Sequence, residues 1–147
     1  MLDPAVLTAE VRRIADPTMP GHSWPPTAEA ARSRWAAAVA TYFDALAAPA
    51  PSPGATVAAT AAFVAAFDPT MGLAGLEAGL SAFAATIAAA VAPGTVATPP
   101  AGPPAWGDLS ATRDGTGRSQ QIAAAIDSWA RTGLTGPAPG PPAIPWS

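Results

Sequence analysis

The sequence contains no cysteine, no lysine and no asparagine among its 147 residues. Without cysteine there is no disulfide framework, no thiolate metal site and no cysteine nucleophile. Every one of the 7 basic residues is arginine; lysine and asparagine codons are AT-rich, so a GC-rich genome explains both absences and no function follows from them. Histidine is nearly missing too. His22 stands alone, so no pair of ligands at helical spacing exists for a metal. Positive charge is also short: net charge is −3 and the isoelectric point is near 4.8. That balance argues against nucleic-acid binding, whose affinity comes mainly from neutralising phosphates.

Long apolar runs are lacking as well. The most membrane-like segment, residues 80–92 (LSAFAATIAAAVA), falls short of the roughly 20 residues a spanning helix needs. Gly72, Gly75 and Gly79 have the spacing of close helix contacts in membranes, but here are expected only to let two helices approach. Met1-Leu2-Asp3-Pro4 has neither the cationic start nor the apolar run of a signal peptide. The expectation is no membrane. Charge of either sign is scarce in the middle of the chain: between Ala45 and Gly107 the only ionisable side chains are Asp68 and Glu77. Surfaces in water usually carry about 25–35% charged residues, so this stretch is expected to be covered by neighbours.

Alanine and proline fill the space. Burying a methyl gains little, at about 0.8 kcal/mol per CH₂, so a core made mostly of alanine leaves a small surplus over chain entropy. An isolated chain that is marginally stable or self-associates is expected.

The most informative feature is repetition. Asp16-Pro17-Thr18-Met19 recurs as Asp68-Pro69-Thr70-Met71. Each copy follows a short apolar segment (5–15, 57–67) and precedes a longer alanine-rich run. The large residues of those runs, Trp35, Val39, Phe43 and Leu46, then Leu76, Leu80, Phe83, Ile87 and Val91, recur at helical spacing. Each run stops at Pro-Gly (Pro53-Gly54, Pro93-Gly94) followed by Thr-Val-Ala, directly or after one residue. A third, shorter unit carries Ile122, Ile126 and Trp129 on one helical face, with Ser119 near its start and Gly133 as a left-handed cap at its end. Asp3-Pro4 and Asp68-Pro69 pair a capping carboxylate with a proline at the first helical position. Residues 93–109 and 133–147 have proline at nearly every second or third position and favour polyproline II over ladders or helices.

The predicted fold is therefore all-α: two tandem helical hairpins plus one helix, joined and ended by extended Pro-rich segments. In residues, that is a duplicated hairpin core over 1–92 (units 1–53 and 54–92), a Pro/Gly-rich linker over 93–118, a helix over 119–133 and an extended tail over 134–147.

Candidate chemistry is thin. A catalytic triad needs a base beside its nucleophile; His22 neighbours Ser23 in a Pro/Gly-rich turn, with no acid near in sequence. Asp44, Asp108, Asp114 and Asp127 are too scattered to promise a carboxylate pair. The stretch 114–119 (DGTGRS) is glycine-rich and opens a helix, as phosphate loops do, but lacks their lysine and preceding strand. A turn is expected there. Arg12, Arg13, Arg32 and Arg34 are interleaved with Asp3, Glu10, Asp16 and Glu29, which reads as a solvated face. No catalytic residue, cofactor, metal or small-molecule substrate is predicted. The candidate partner-binding residues are Trp106, Leu109, Leu134, Ile144 and Trp146. Extended segments lose little entropy on docking and tryptophan is a common interface anchor. The tail is thus expected to lie on a neighbouring chain, with Trp146 in an apolar pocket there; the alternative is that both segments fold back on their own helices.

In layout the chain resembles small structural proteins of tailed bacteriophages and prophages, in which a helix runs straight into a Gly/Thr/Pro-rich extended tail, sometimes in tandem. The stretches that carry this are 36–48, 83–96 and, most closely, 122–142 (IAAAIDSWARTGLTGPAPGPP). The resemblance implies a non-enzymatic virion component of a tail, baseplate or head–tail junction. Its partners would be other virion proteins, a further copy of the chain among them, and it brings no catalytic residues. Two other classes stay open: a secreted or surface Ala/Pro-rich interaction protein of a GC-rich bacterium, and a transient assembly chaperone.

Overall fold

The first helix begins where Asp3 accepts a hydrogen bond from the Ala5 amide (2.8 Å) and Pro4 presets the first helical turn. Five α-helices follow from such local signals in the computed structural model, which describes residues 1–110 and 114–147. They are α1 (Pro4–Ala15), α2 (Ala28–Phe43), α3 (Ala55–Ala66), α4 (Leu73–Ala89) and α5 (Gly115–Ala130). Leu7, Val11 and Ile14 of α1, and Ala55, Ala59 and Phe63 of α3, recur every three or four residues and are buried. Thr27 caps α2 through the Ala30 amide.

The two Asp-Pro-Thr-Met copies act alike. In each, one carboxylate oxygen accepts from both the amide and the hydroxyl of the threonine two residues on, at 2.9 and 2.6 Å for Asp16 and 2.9 and 2.8 Å for Asp68. The proline behind each holds its aspartate in an extended conformation; α1 ends at that aspartate, and α3 one residue earlier, at Phe67. Helix α1 then packs on α2, and α3 on α4. The glycine spacing serves the second pair. A Cβ on Gly79 would lie 2.9 Å from the Phe63 ring, and one on Gly75 only 2.0 Å from the Asp68 carbonyl oxygen.

The all-α expectation needs correction: the fold is mainly helical but includes a three-stranded antiparallel sheet. Strand β1 (Thr95–Thr98) pairs with β2 (Leu134–Pro137) in the register Val96 opposite Gly136, and β2 pairs with β3 (Ile144–Pro145). Prolines 137 and 145 occupy ladder positions, while the amides of Ala138, Ala143 and Trp146 supply bonds to Gly94, Thr135 and Gly133. Proline density therefore does not forbid a ladder; it only dictates which residues donate. Of the predicted linker 93–118, residues 111–113 lie outside the described residues.

The tail expectation is overturned as well. Residues 134–147 do not reach away from their own helices. The Ser147 amide donates to Ala48, and the Ser147 carbonyl accepts from Ala47 (2.7 Å), stitching the end of the chain to the segment after α2. Trp146 is fully buried in its own core, edge-on to Phe43 at 6.2 Å between ring centres. Its indole N–H donates to the Leu134 carbonyl at 3.2 Å. An apolar group this large is driven inward because a pocket exists on the same chain.

Two details at α5 follow suit. The helix starts at Gly115, a turn before the expected 119, because Asp114 caps it; Ser119 lies inside and donates to the Gly115 carbonyl. Gly133 is not a left-handed cap, since the positive-φ glycines among the described residues are elsewhere. It is glycine because a Cβ there would sit 2.6 Å from the Trp146 ring. One hydrophobic cluster runs through all five helices and ends on Trp146.

Candidate functional site

Several of the polar side chains that sequence could offer for chemistry are engaged in structure. His22 bonds through Nδ1 to the Arg13 carbonyl (3.1 Å) and stands edge-on to Trp24. Since a carbonyl only accepts, Nδ1 is the donor in that bond. The Ser23 hydroxyl accepts from Arg34 rather than meeting the ring. Asp127 is tied to Tyr42 and Arg131, Asp108 to Ser110, and Asp114 to the Gly117 amide. No group of three or more potential metal ligands converges among the described residues.

The glycine-rich opening of α5 does attract an anion, but the chain provides it. The Asp16 carboxylate accepts from Thr116 at 2.8 Å and from Arg12 at 3.0 Å, and Gly115 approaches it so closely that a Cβ would lie 2.9 Å away. Asp16 thus sits fully buried at the N-terminus of α5, where backbone N–H groups favour negative charge. The Thr18 hydroxyl above all, with Thr116, the Thr18 amide and Arg12, holds its carboxyl well below the usual range despite the opposing effect of burial. Sequence reading missed this lock, because its members lie 100 residues apart. The Tyr42–Asp127–Arg131 chain was missed for the same reason. There Tyr42 donates to Asp127 at 2.5 Å and Arg131 reaches on to the Leu2 carbonyl.

A cleft of about 520 Å³ opens between α2, the start of α4 and α5, walled mainly by Trp35, Leu73, Leu76, Leu109 and Ile122. Of the described side chains lining it, only Ser110 and Arg118 are polar. The described walls offer mainly apolar contact.

The five candidate binding residues fare differently. Trp106 lies on its own helices: its indole donates to Glu77 (2.6 Å) and its carbonyl accepts from Gln121 (2.8 Å). Leu109 packs half-buried on the core. Leu134 is half-buried in β2, and Trp146 is inside. Ile144 alone is turned outward, at 55% exposure. The structure does not bring these five together into a surface.

A different set of exposed positions lies on two helices that pack together. Helix α3 leaves Val57, Ala58, Ala61 and Ala65 exposed, and α4 leaves Ala74, Ala78, Ser81, Ala85 and Ala89 exposed. No charged side chain lies among these positions. Both acids of the 45–107 stretch are held at the margins, Glu77 by Trp106 and Asp68 by Thr70. The Thr70 amide and hydroxyl, with Arg32 nearby, keep the Asp68 carboxyl below its ordinary value. Val57 is 75% exposed and Met71, just before α4, 62%. No family model matches the chain, and no curated protein and no solved structure matches it either. Among the described residues no helix is long and apolar enough to cross a membrane.

Proposed function

We propose that this chain is a non-enzymatic structural component of a tailed phage particle, in its tail, baseplate or head–tail junction, and that it binds neighbouring subunits through its helices. The observation that carries the reading is the uncharged outer face of α3 and α4. A face without charge loses little hydration when covered, whereas covering unpaired charges is expensive. The layout of helices running into Gly/Thr/Pro-rich extended segments supports the particle context by resemblance. The tail is no longer the docking element, because Trp146 is occupied at home. Binding falls to the helical face, with Ile144 as the one outward residue of the earlier candidates.

A mass-spectrometric inventory of purified particles tests this. Stable presence at fixed stoichiometry is expected. Presence only in assembly intermediates would transfer the chain to the chaperone class. Recovery from the culture medium without particles would transfer it to the secreted class.

A further inference from the structure

Resting on the reading that the α3–α4 face is an interface, we propose that its partner is the same face of a second copy of this chain. Three observations lead there. The first is charge. The remaining ionisable residues of the described chain lie on or beside α1, α2 and α5, so pairing through α3 and α4 keeps two molecules of net charge −3 turned with their charges apart. Pairing this face with any of the charged faces would bury carboxylates or guanidinium groups against alanine.

The second is area. With 12 and 17 residues, the helices are about 18 and about 25 Å long and each about 10 Å wide, which gives a face of roughly 430 Å² in projection. Two such faces, with side-chain relief added, reach the roughly 1,000 Å² at which specific interfaces begin, short of the roughly 1,600 Å² of a standard one. The dimer is therefore weak and concentration-dependent. Alanine and serine at Ala74, Ala78, Ser81 and Ala85 let two helices come to the short end of the roughly 8–10 Å range of helix packing.

The third is internal. Helices α1 and α3 each precede a copy of Asp-Pro-Thr-Met. The chain itself lays α5 along α1, while the exposed side of α3 carries no such helix among the described residues. What the fold supplies to the first copy, a second molecule supplies to the other.

Sedimentation velocity of the full chain from micromolar to millimolar concentration tests this, alongside Ala61→Glu, Ala78→Glu, Ala78→Arg and, as a control on α5, Ala124→Glu. Ala61, Ala78 and Ala124 are all exposed. Expected is a monomer–dimer equilibrium, weakened roughly tenfold or more by either glutamate at the face and unchanged by Ala124→Glu. Mixing the Ala78→Glu and Ala78→Arg chains should restore pairing. If the face variants lose helix content by circular dichroism, amide exchange on the unaltered chain decides instead: protection in α3 and α4 should rise with concentration. A chain that stays monomeric throughout, exchange that ignores concentration, or a dimer weakened equally by the control overturns the proposal. None of these results touches the particle inventory, so self-pairing can fail while the structural reading stands.

Discussion

Replacing Trp146 by alanine separates a tail that straps neighbours from a tail that closes its own core. The side chain is fully buried against Phe43 and lies on Gly133. A fully buried tryptophan removes roughly 200 Å² or more from water, which at about 25 cal/mol per Å² comes to about 5 kcal/mol. Measured truncations of Phe and Trp to Ala cost about 3–5 kcal/mol, so about 4 kcal/mol is expected here. Domains have only about 5–15 kcal/mol in total. Trp146→Ala should therefore lower the melting temperature by roughly 8–16 °C, at about 2–4 °C per kcal/mol. The assay is urea denaturation of the isolated chain followed by far-ultraviolet circular dichroism, which the other tryptophans do not confuse. The slope should stay constant while the midpoint falls. A loss below about 1 kcal/mol in a cooperatively folding chain would refute the placement, and a defect seen only on assembly would restore the strap.

Other perturbations address other joints. Gly133→Ala drives a methyl to within 2.6 Å of the Trp146 ring and should cost about 1–3 kcal/mol as overpacking; an unchanged urea midpoint would contradict it. The depressed Asp16 carboxyl gives stability that is present above the unfolded value of about 3.9 and is lost as pH falls towards the folded value. The urea midpoint should fall in acid, and fall less steeply in Asp16→Asn; an identical acid slope in both chains would disprove the lock. Tyr42 is the sole tyrosine, and burial first, then the Asp127 carboxylate, raise its phenol well above the ordinary range. Its contribution is complete below about pH 10 and lost at higher pH, so phenolate absorbance should appear only as helix signal disappears. Free titration near pH 10 in a folded chain would show the phenol to be exposed.

Helices were legible in the sequence because their signals are local: Asp3-Pro4 as a cap, Phe63 four residues after Ala59, the Asp-Pro junctions. The sheet was not. Thr56-Val57-Ala58 and Thr95-Val96-Ala97 share three residues after a Pro-Gly turn, with nearly equal glycine φ angles of 84° and 82°. One enters α3 and the other forms β1. Alanines after position 58 carry the first into a helix, while Pro99 and Pro100 deny that route to the second, which pairs instead with a strand some 40 residues away. No property of the tripeptide tells them apart. The neutral face was visible as missing charge, but its extent was not, because Gly75 and Gly79 turn inward against Asp68 and Phe63. Trp146 misled for a physical reason: a large apolar group at a chain end needs a pocket, and sequence does not say on which molecule.

The two Asp-Pro-Thr-Met copies differ in what surrounds their aspartates. Both aspartates bind their own threonine identically, so the difference between them arises elsewhere. A carboxylate can be buried only with a cation or several donors beside it. Four residues before Asp16 stands Arg12, on the same helical face, and it makes that ion pair at 3.0 Å. Four residues before Asp68 stands Val64, which cannot. The first copy can therefore be closed over by α5, whose Thr116 completes the carboxylate's shell. The second must stay near solvent, relying on Thr70 and the field of Arg32. The polar contact of Thr116 with Asp16 adds to the apolar packing by which α5 lies along α1. Among the described residues helix α3 keeps its outer side exposed, and that side is the one from which charge is missing.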